Sequence, residues 1–392
     1  MKNFEYFNDC RVVFGKGSVK KLAGYIAPYG QKVLLVSDDN LKKLKPYRDV
    51  VDHLEKNGFD IYSLEGVHSN PRLDIIYHGI DICRQKRIEF IVAVGGGSVI
   101  DTAKTIAFGA KTEIDVWEYF LKEQTSEKYG IYEAIPIGTV STMAASGSET
   151  NGTTVVTNAD TKEKLYVYGR DVLRPRIAIM DPEYTYSVPK TYTAYGAFDI
   201  FCHLFEQYCT PTENAPLQAG FGEAAMRTVI DNAKIVMDNP NNYEARANLM
   251  WCASVTLMGI VDPGVEADSS GHGIEHELSA WYDIAHGAGL GIIFPSWMEY
   301  VARRKPAKFA NYAVKVWGIE HSGREDLDIA LEGIDRTKEF VKSMGMPTAF
   351  KEVGIDNTHF REMAEAAVRF HPQGSYCILD KNDIMEILNK CL

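Results

Sequence analysis

Asp199 and His203 stand four residues apart, and His272, His276 and His286 follow within a second short stretch. Residues at four-residue spacing project from one face of a helix. Five oxygen and imidazole donors, in a chain with only ten histidines, compose a candidate metal site. No cysteine stands at ligand spacing, so the donor set favours Fe(II), Zn(II) or Mn(II) over a structural thiolate site. A metal with a free coordination position acts as a Lewis acid on an alcohol or carbonyl oxygen. One Asp–His pair in an apolar helix (Phe198, Phe201, Leu204, Phe205) reads better as a plain hydrogen-bonded pair. The recurrence of the spacing at His272 and His276, with His286 beyond, is what favours a metal.

A second chemistry lies about a hundred residues upstream. Gly95-Gly96-Gly97-Ser98 separates the apolar run Phe90–Val94 from the helix-like Val99–Phe108. Glycines in such a turn let backbone approach a phosphate, and the helix N-terminus supplies free N–H groups. The run is not G-x-G-x-x-G, so the usual dinucleotide fingerprint is missing. A small-residue stretch, Gly138 to Glu149, follows another strand-like run, Ala134–Ile137, and offers hydroxyls and backbone donors to a diphosphate or ribose. Asp38, after the run Val33–Ser37, can bind adenine-ribose hydroxyls and repel a 2′-phosphate, although its position suits a helix-capping loop residue equally well.

These groups need elements to hold them. The first 190 residues alternate strand-like and helix-like segments: Val33–Ser37, Val50–Asn57, Phe59–Tyr62, Leu73–Arg87, Phe90–Val94, Val99–Phe108, Ala134–Ile137 and Ile177–Met180. Alternation at this pitch predicts an α/β fold with a parallel, doubly wound sheet. Thr153–Thr157 and Lys164–Tyr168, around Asn158-Ala159-Asp160, predict a hairpin laid on it. After Pro189 the pattern turns helical, as in Phe198–Tyr208, Pro216–Met237, Ala245–Ile260 and Leu327–Ser343. Asp268-Ser269-Ser270 supplies caps for a helix starting near His272.

Totals exclude several function classes. The 392 residues carry 45% hydrophobic and 24% charged residues and a net charge of −11. Without a dense Lys/Arg cluster, nucleic acid and anionic membranes are poor partners. No apolar stretch approaches the ~20 residues of a membrane span. The first residues hold no secretory apolar run, and seven scattered cysteines without C-x-x-C suggest reduced thiols and a cytoplasmic protein.

Longer motifs surround these residues: FGKGSVKKL, Ser69-Asn70-Pro71, GGGSVIDTAK, Ser146-Gly147-Ser148-Glu149, Ile179-Met180-Asp181-Pro182-Glu183, AFDIFCHLFEQY and GHGIEHELSAWYDIAHG. In this order the chain resembles, essentially end to end, the iron-containing (group III) alcohol dehydrogenases, butanol dehydrogenase-like branch. The resemblance implies a Rossmann-like dinucleotide-binding domain over residues 1–187 and an all-α metal domain over 188–392. It implies a dimer, with the nicotinamide in the cleft between domains. Metal ligands would be Asp199, His203, His272 and His286, leaving His276 near the substrate to orient it or relay a proton. Cofactor contacts would fall on Asn70, Gly96, Gly97, Ser98, Thr142, Asn151 and Lys164, with Asp101 and Thr139 beside them. The expected metal is Fe(II), with Zn(II) as alternative.

Two departures matter. The branch often has glycines after the first strand, suited to a 2′-phosphate, where this chain has Ser37-Asp38-Asp39-Asn40; that favours NAD(H) over NADP(H). Ser141, Met143 and Ala145 replace the Pro, Thr and Gly often found in the small-residue loop. The expected reaction is hydride exchange between the nicotinamide and a small primary alcohol or aldehyde. Rival readings are a dehydroquinate synthase-like or glycerol dehydrogenase-like enzyme, or a non-catalytic metal and nucleotide sensor. Against a phosphorylated substrate, neither Asp199–Tyr208 nor His272–His286 contains Lys or Arg. The aromatics Phe198, Phe201, Trp251, Trp281 and Tyr282 hint at an apolar pocket, although helical aromatic stripes are more often core.

Overall fold

The computed structural model describes residues 1–392. Two compact units are formed, one by Phe7–Val188 with Asn241–Met258, the other by Met1–Tyr6, Pro189–Pro240 and Gly259–Leu392.

The first unit is built on a six-stranded, all-parallel sheet of β1 (Arg11–Phe14), β2 (Lys32–Ser37), β3 (Asp60–Leu64), β4 (Phe90–Gly95), β5 (Ile137–Ser141) and β8 (Ile177–Met180). Strand order is β1-β8-β5-β4-β2-β3. Helices α1 (Leu22–Ile26), α2 (Lys45–Lys56), α3 (Leu73–Lys86), α4 (Gly97–Gly109), α5 (Val116–Glu123) and α6 (Arg170–Leu173) connect the strands. Side chains alternate across a strand. Leu34, Val36, Ile91 and Ala93 therefore pack with α3, α4 and α5. Val33, Leu35, Val92 and Val94 pack with α1 and α2 on the opposite face. Covered on both faces, the central strands read as continuous apolar runs, as parallel strands must.

Four features differ from the sequence reading. The fifth strand spans Ile137–Ser141, so Ala134–Pro136 precede it and Gly138–Ser141 belong to the sheet. Those small residues are fully enclosed in the strand, and their lack of bulk hid it. The hairpin, β6 (Thr153–Asn158) and β7 (Glu163–Tyr168), forms its own two-stranded sheet over α4. Thr154 Oγ1 donates to the Asp101 carbonyl at 2.8 Å, and Thr105 and Thr154 hydroxyls lie 2.9 Å apart. β1 and α5 were not anticipated, being only four and eight residues long.

The second unit is helical: α7 (Lys190–Tyr208), α8 (Pro216–Asp238), α10 (Ser270–Tyr282), α11 (His286–Arg304), α12 (Ala307–Trp317), α13 (Asp326–Ser343), α14 (Phe360–Ala367) and α15 (Lys381–Lys390). Helix α9 (Tyr243–Leu257) packs in the sheet unit, where Met250 meets Ala178 and Met180. Phe198 and Phe201 are fully buried and stack on each other at 5.7 Å, and Phe205 lies edge-on to Trp297 and Tyr312. The aromatic stripe of α7 is thus core, while Trp251 lies on α9. All seven cysteines are free. No helix is long and apolar enough to cross a membrane.

Candidate metal centre and dinucleotide site

In the sheet unit, the register carries the predicted cofactor residues to adjacent strand ends. Ser37 of β2 pairs with Val94 of β4, and Gly95 pairs with Ser141 of β5. Asp38, the turn Gly95–Ser98 and Thr142 consequently line one edge of the sheet. Thr142 N–H donates to the Gly95 carbonyl at 3.1 Å. β2 is also where strand order reverses, with β3 on one side and β4 on the other. Open parallel sheets bind nucleotides at such switch points, outside the carboxyl ends of the strands. Gly96 is the N-cap of α4 and makes no side-chain cap, so the N–H groups of Gly97 and Ser98 open the helix without a capping side chain. That donor set fits a diphosphate. Asp38 Oδ1 accepts from Asn40 N at 2.8 Å and Leu41 N at 3.1 Å, which fixes the carboxylate at the strand end.

Asn70 and Lys164, 94 positions apart, meet where Lys164 Nζ donates to Asn70 Oδ1 at 3.1 Å. Other predicted contacts turn inward. Thr139 sits within β5 opposite Ala93, fully buried, its hydroxyl without a hydrogen-bond partner. Asp101 accepts from Ser148 Oγ at 2.6 Å and Val155 N at 3.0 Å. Asn151 Oδ1 accepts from Thr153 N at 2.9 Å and from Lys104 Nζ at 3.1 Å, while its Nδ2 donates to the Gly147 carbonyl.

Lys104, absent from the predicted set, is completely buried. Its ammonium donates to Ser148 Oγ at 2.8 Å, Asn151 Oδ1 at 3.1 Å and the Thr153 carbonyl at 2.7 Å. Burial lowers its pKa to about 8, opposed by the nearby Asp101 and Glu149 carboxylates. The sequence signal was there: Asp101 and Lys104, one turn apart, are the only charges in the apolar helix VIDTAKTIAF.

In the helical unit, α7, α10 and α11 converge. Asp268, fully buried, sets the start of α10: its carboxylate accepts from Ser270 N and Oγ at 3.0 and 2.5 Å, and from the Ser375, Tyr376 and Cys377 amides. α10 ends at Tyr282, where Asp283 turns left-handed at φ 50°, and a new helix begins at His286. His272 and His286 therefore lie on separate helices. Gly287 lets α11 touch α7, since a Cβ there would lie 2.4 Å from the Tyr195 Cβ, one turn before Asp199.

Asp199 Oδ1 ends up 3.0 Å from His203 Nδ1, 3.4 Å from His272 Nε2 and 3.6 Å from His286 Nε2. Donor atoms of Asp199, His272 and His286 all fall within 4.8 Å of one another. His203 stands beside this set, its ring centroid 4.0 Å from that of His272. His276 groups with Glu275 and His286 instead, its ring 5.7 Å from His286. Burial alone would raise the Asp199 pKa, but the three imidazoles outweigh it and hold the carboxyl well below its ordinary range. Burial likewise opposes charge on His272, yet Glu206 and Asp199 pull it up to about 10. Three buried carboxylates thus face three imidazoles, Asp199 among all of them, Glu206 on His272 and Glu275 on His286. An anionic oxygen surrounded by imidazole nitrogens matches the preferences of a divalent transition metal. Glu206 and Glu275 were not among the predicted residues, although each stands three residues beyond a predicted histidine, His203 and His272.

Comparison with known proteins resolves the family. The family model described as iron-containing alcohol dehydrogenase matches residues 10–182, and its C-terminal counterpart matches residues 193–392. The chain belongs to the iron-containing alcohol dehydrogenase family. It is 39% identical, over the full length of both chains, to the probable NADH-dependent butanol dehydrogenase 1 of Bacillus subtilis. It is 34% identical to the NADPH-dependent aldehyde reductase YqhD of Escherichia coli, over 91% of each chain. The crystal structure of a Thermotoga maritima NADH-dependent butanol dehydrogenase A superposes with a TM-score of 0.94 at 36% identity, covering 100% of this chain and 99% of the other. The Rossmann-like sheet followed by a helical metal-type unit, expected from the motifs, is the architecture of this iron-containing alcohol dehydrogenase family member.

Proposed function

We propose that this chain is a metal- and nicotinamide-dependent alcohol dehydrogenase or aldehyde reductase acting on small primary alcohols and aldehydes. The carrying observation is the single oxygen, Asp199 Oδ1, within 3.6 Å of the Nε2 atoms of His272 and His286, with the His203 ring beside them. Asp199, His203, His272 and His286 hold the metal, Fe(II) with Zn(II) as alternative. Bound there, a divalent cation supplies Lewis acidity to the alcohol or carbonyl oxygen. A nicotinamide bound in the sheet unit would supply the hydride chemistry. Asp199 stays ionised throughout the working pH range and contributes the fixed negative charge. His276 orients the substrate and carries its proton. In the sheet unit, Asn70, Gly96, Gly97, Ser98, Thr142, Asn151 and Lys164 make up the dinucleotide site, with Asp101 and Thr139 behind it. Within it Gly96–Ser98 bind the diphosphate, Lys164 with Asn70 binds the nicotinamide ribose, and Asp101 and Asn151 shape the surrounding loop.

The test is chelation. Metal-stripped protein whose circular dichroism is unchanged is expected to lose aldehyde-dependent NADH oxidation and to regain it with Fe(II) or Zn(II). Undiminished turnover in demonstrably metal-free protein overturns the mechanism.

We also propose NAD(H) as the preferred cofactor. Support comes from the Asp38 carboxylate, anchored by two backbone amides just after β2, since an acidic group after that strand repels a 2′-phosphate. Asp38→Gly is expected to lower the NADH over NADPH preference, measured as the ratio of kcat/KM, by at least about tenfold, or ~1.4 kcal/mol. A ratio unchanged by the substitution assigns the preference elsewhere. Relatives named for NADH stand beside one named for NADPH, so their names alone do not fix the preference. A cytoplasmic homodimer completes the reading. β1 ends the sheet with its outer edge unpaired, and light scattering at twice the chain mass is the expected result.

A further inference from the structure

All three imidazoles around Asp199 have Nδ1 engaged by an oxygen. His203 Nδ1 lies 3.0 Å from the Asp199 backbone carbonyl, one turn back on α7. His272 Nδ1 lies 2.5 Å from Glu206 Oε2, and His286 Nδ1 bonds Glu275 Oε2. A carbonyl or carboxylate oxygen only accepts, so each Nδ1 carries a proton and Nε2 is the nitrogen left to face a metal.

The two carboxylates are themselves held. Glu206 Oε1 accepts from the His272 backbone N–H at 2.9 Å, so both of its oxygens grip the same residue. Glu275 Oε1 accepts from Ser279 Oγ at 2.5 Å, one turn along α10. Glu206 is 4% exposed and Glu275 not at all. Packing leaves room for both: a Cβ on Gly271 would lie 2.9 Å from Glu206 Oε1, and one on Gly289 would lie 2.4 Å from Glu275 Oε1. Buried carboxylates are costly unless a function or a partner retains them.

Resting on the metal-site reading above, we infer that Glu206 and Glu275 are positioning residues, fixing the tautomer and ring orientation of His272 and His286 so that their Nε2 atoms face the metal. The arrangement crosses elements: Glu206 of α7 holds a histidine of α10, and Glu275 of α10 holds a histidine of α11. Each carboxylate thereby ties together two helices that supply ligands. Its negative charge also raises the basicity of the imidazole it holds.

The experiment measures metal affinity in the full chain. Wild type, Glu206→Gln and Glu275→Gln are stripped, and Fe(II) and Zn(II) are titrated back against a chromophoric chelator. Glutamine keeps the volume but not the charge, and each variant is expected to bind metal about 10–100-fold more weakly. Melting of the metal-free proteins and NADH affinity are measured alongside. Should either variant fail to fold, Ser279→Ala removes the hydroxyl that steadies Glu275, and a several-fold loss of metal affinity is expected. Metal affinities within twofold of wild type, whatever the melting temperatures, overturn the inference. A wild type that binds no metal overturns instead the metal-site reading on which it rests, so the two failures are distinct.

Discussion

Asp199→Asn is expected to lower aldehyde reduction by about 10³-fold or more, while the helical unit stays folded. A metal Lewis acid contributes several kcal/mol of transition-state stabilisation, and a loss of ~4 kcal/mol corresponds to about 10³-fold in rate. Asparagine preserves the shape of the buried side chain but removes the charge shared by His203, His272 and His286. That charge is present at every pH of interest, because the imidazoles outweigh the burial that would otherwise protonate the carboxyl. Elemental analysis of the purified variant should show depleted metal, with circular dichroism unchanged and turnover lost. Full metal occupancy together with turnover within a few-fold of wild type would remove Asp199 from the ligand set.

Lys104→Met carries the largest expected stability effect. Methionine fills a similar volume, but the Asp101 and Glu149 carboxylates, both pushed up by burial and pulled down by Lys104, lose their cation. Breaking a buried ion pair on one side costs ~3–5 kcal/mol. For a unit of this size that is about 6–20 °C of melting temperature. Because Lys104 also anchors Ser148, Asn151 and the Thr153 carbonyl, the KM for NADH is expected to rise more than the aldehyde KM. The pH dependence has a definite sign. The folded-state pKa of about 8 lies below the ordinary 10.5. The cost of burying the Lys104 charge is therefore felt in full below pH 8 and fades as pH rises to 10.5. The stability gap between wild type and variant should narrow from pH 10.5 to 8 and then level off. Thermal melts across that range check it, and a gap that widens on acidification contradicts the assignment.

The ligand types were legible because helical spacing is a local property. Asp199 and His203 share a face of α7 whatever surrounds it, and the glycine turn Gly95–Ser98 follows directly from an apolar strand. The parallel sheet was legible for a similar reason: strands buried on both faces must be continuously apolar. Ile137–Ser141 escaped because Gly138, Thr139 and Ser141 are as small and polar as loop residues, and only enclosure between β4 and β8 makes them a strand.

Pairing between elements was not legible. Glu206 lies three residues from His203 but bonds His272, and Glu275 lies three residues from His272 but bonds His286. That the Asp101 carboxylate accepts from Ser148 and Val155 was not legible either, since both partners lie more than forty residues away. By itself the sequence determined the donor types, the helices and strands that carry them, and the family. The tertiary structure alone decided which carboxylate meets which imidazole, that Lys104 has three internal acceptors, and that Tyr243–Leu257 joins the sheet unit. The physical reason is range: periodicity is set by neighbours three or four residues away, whereas the partner of a buried charge is chosen by helix packing across tens of residues.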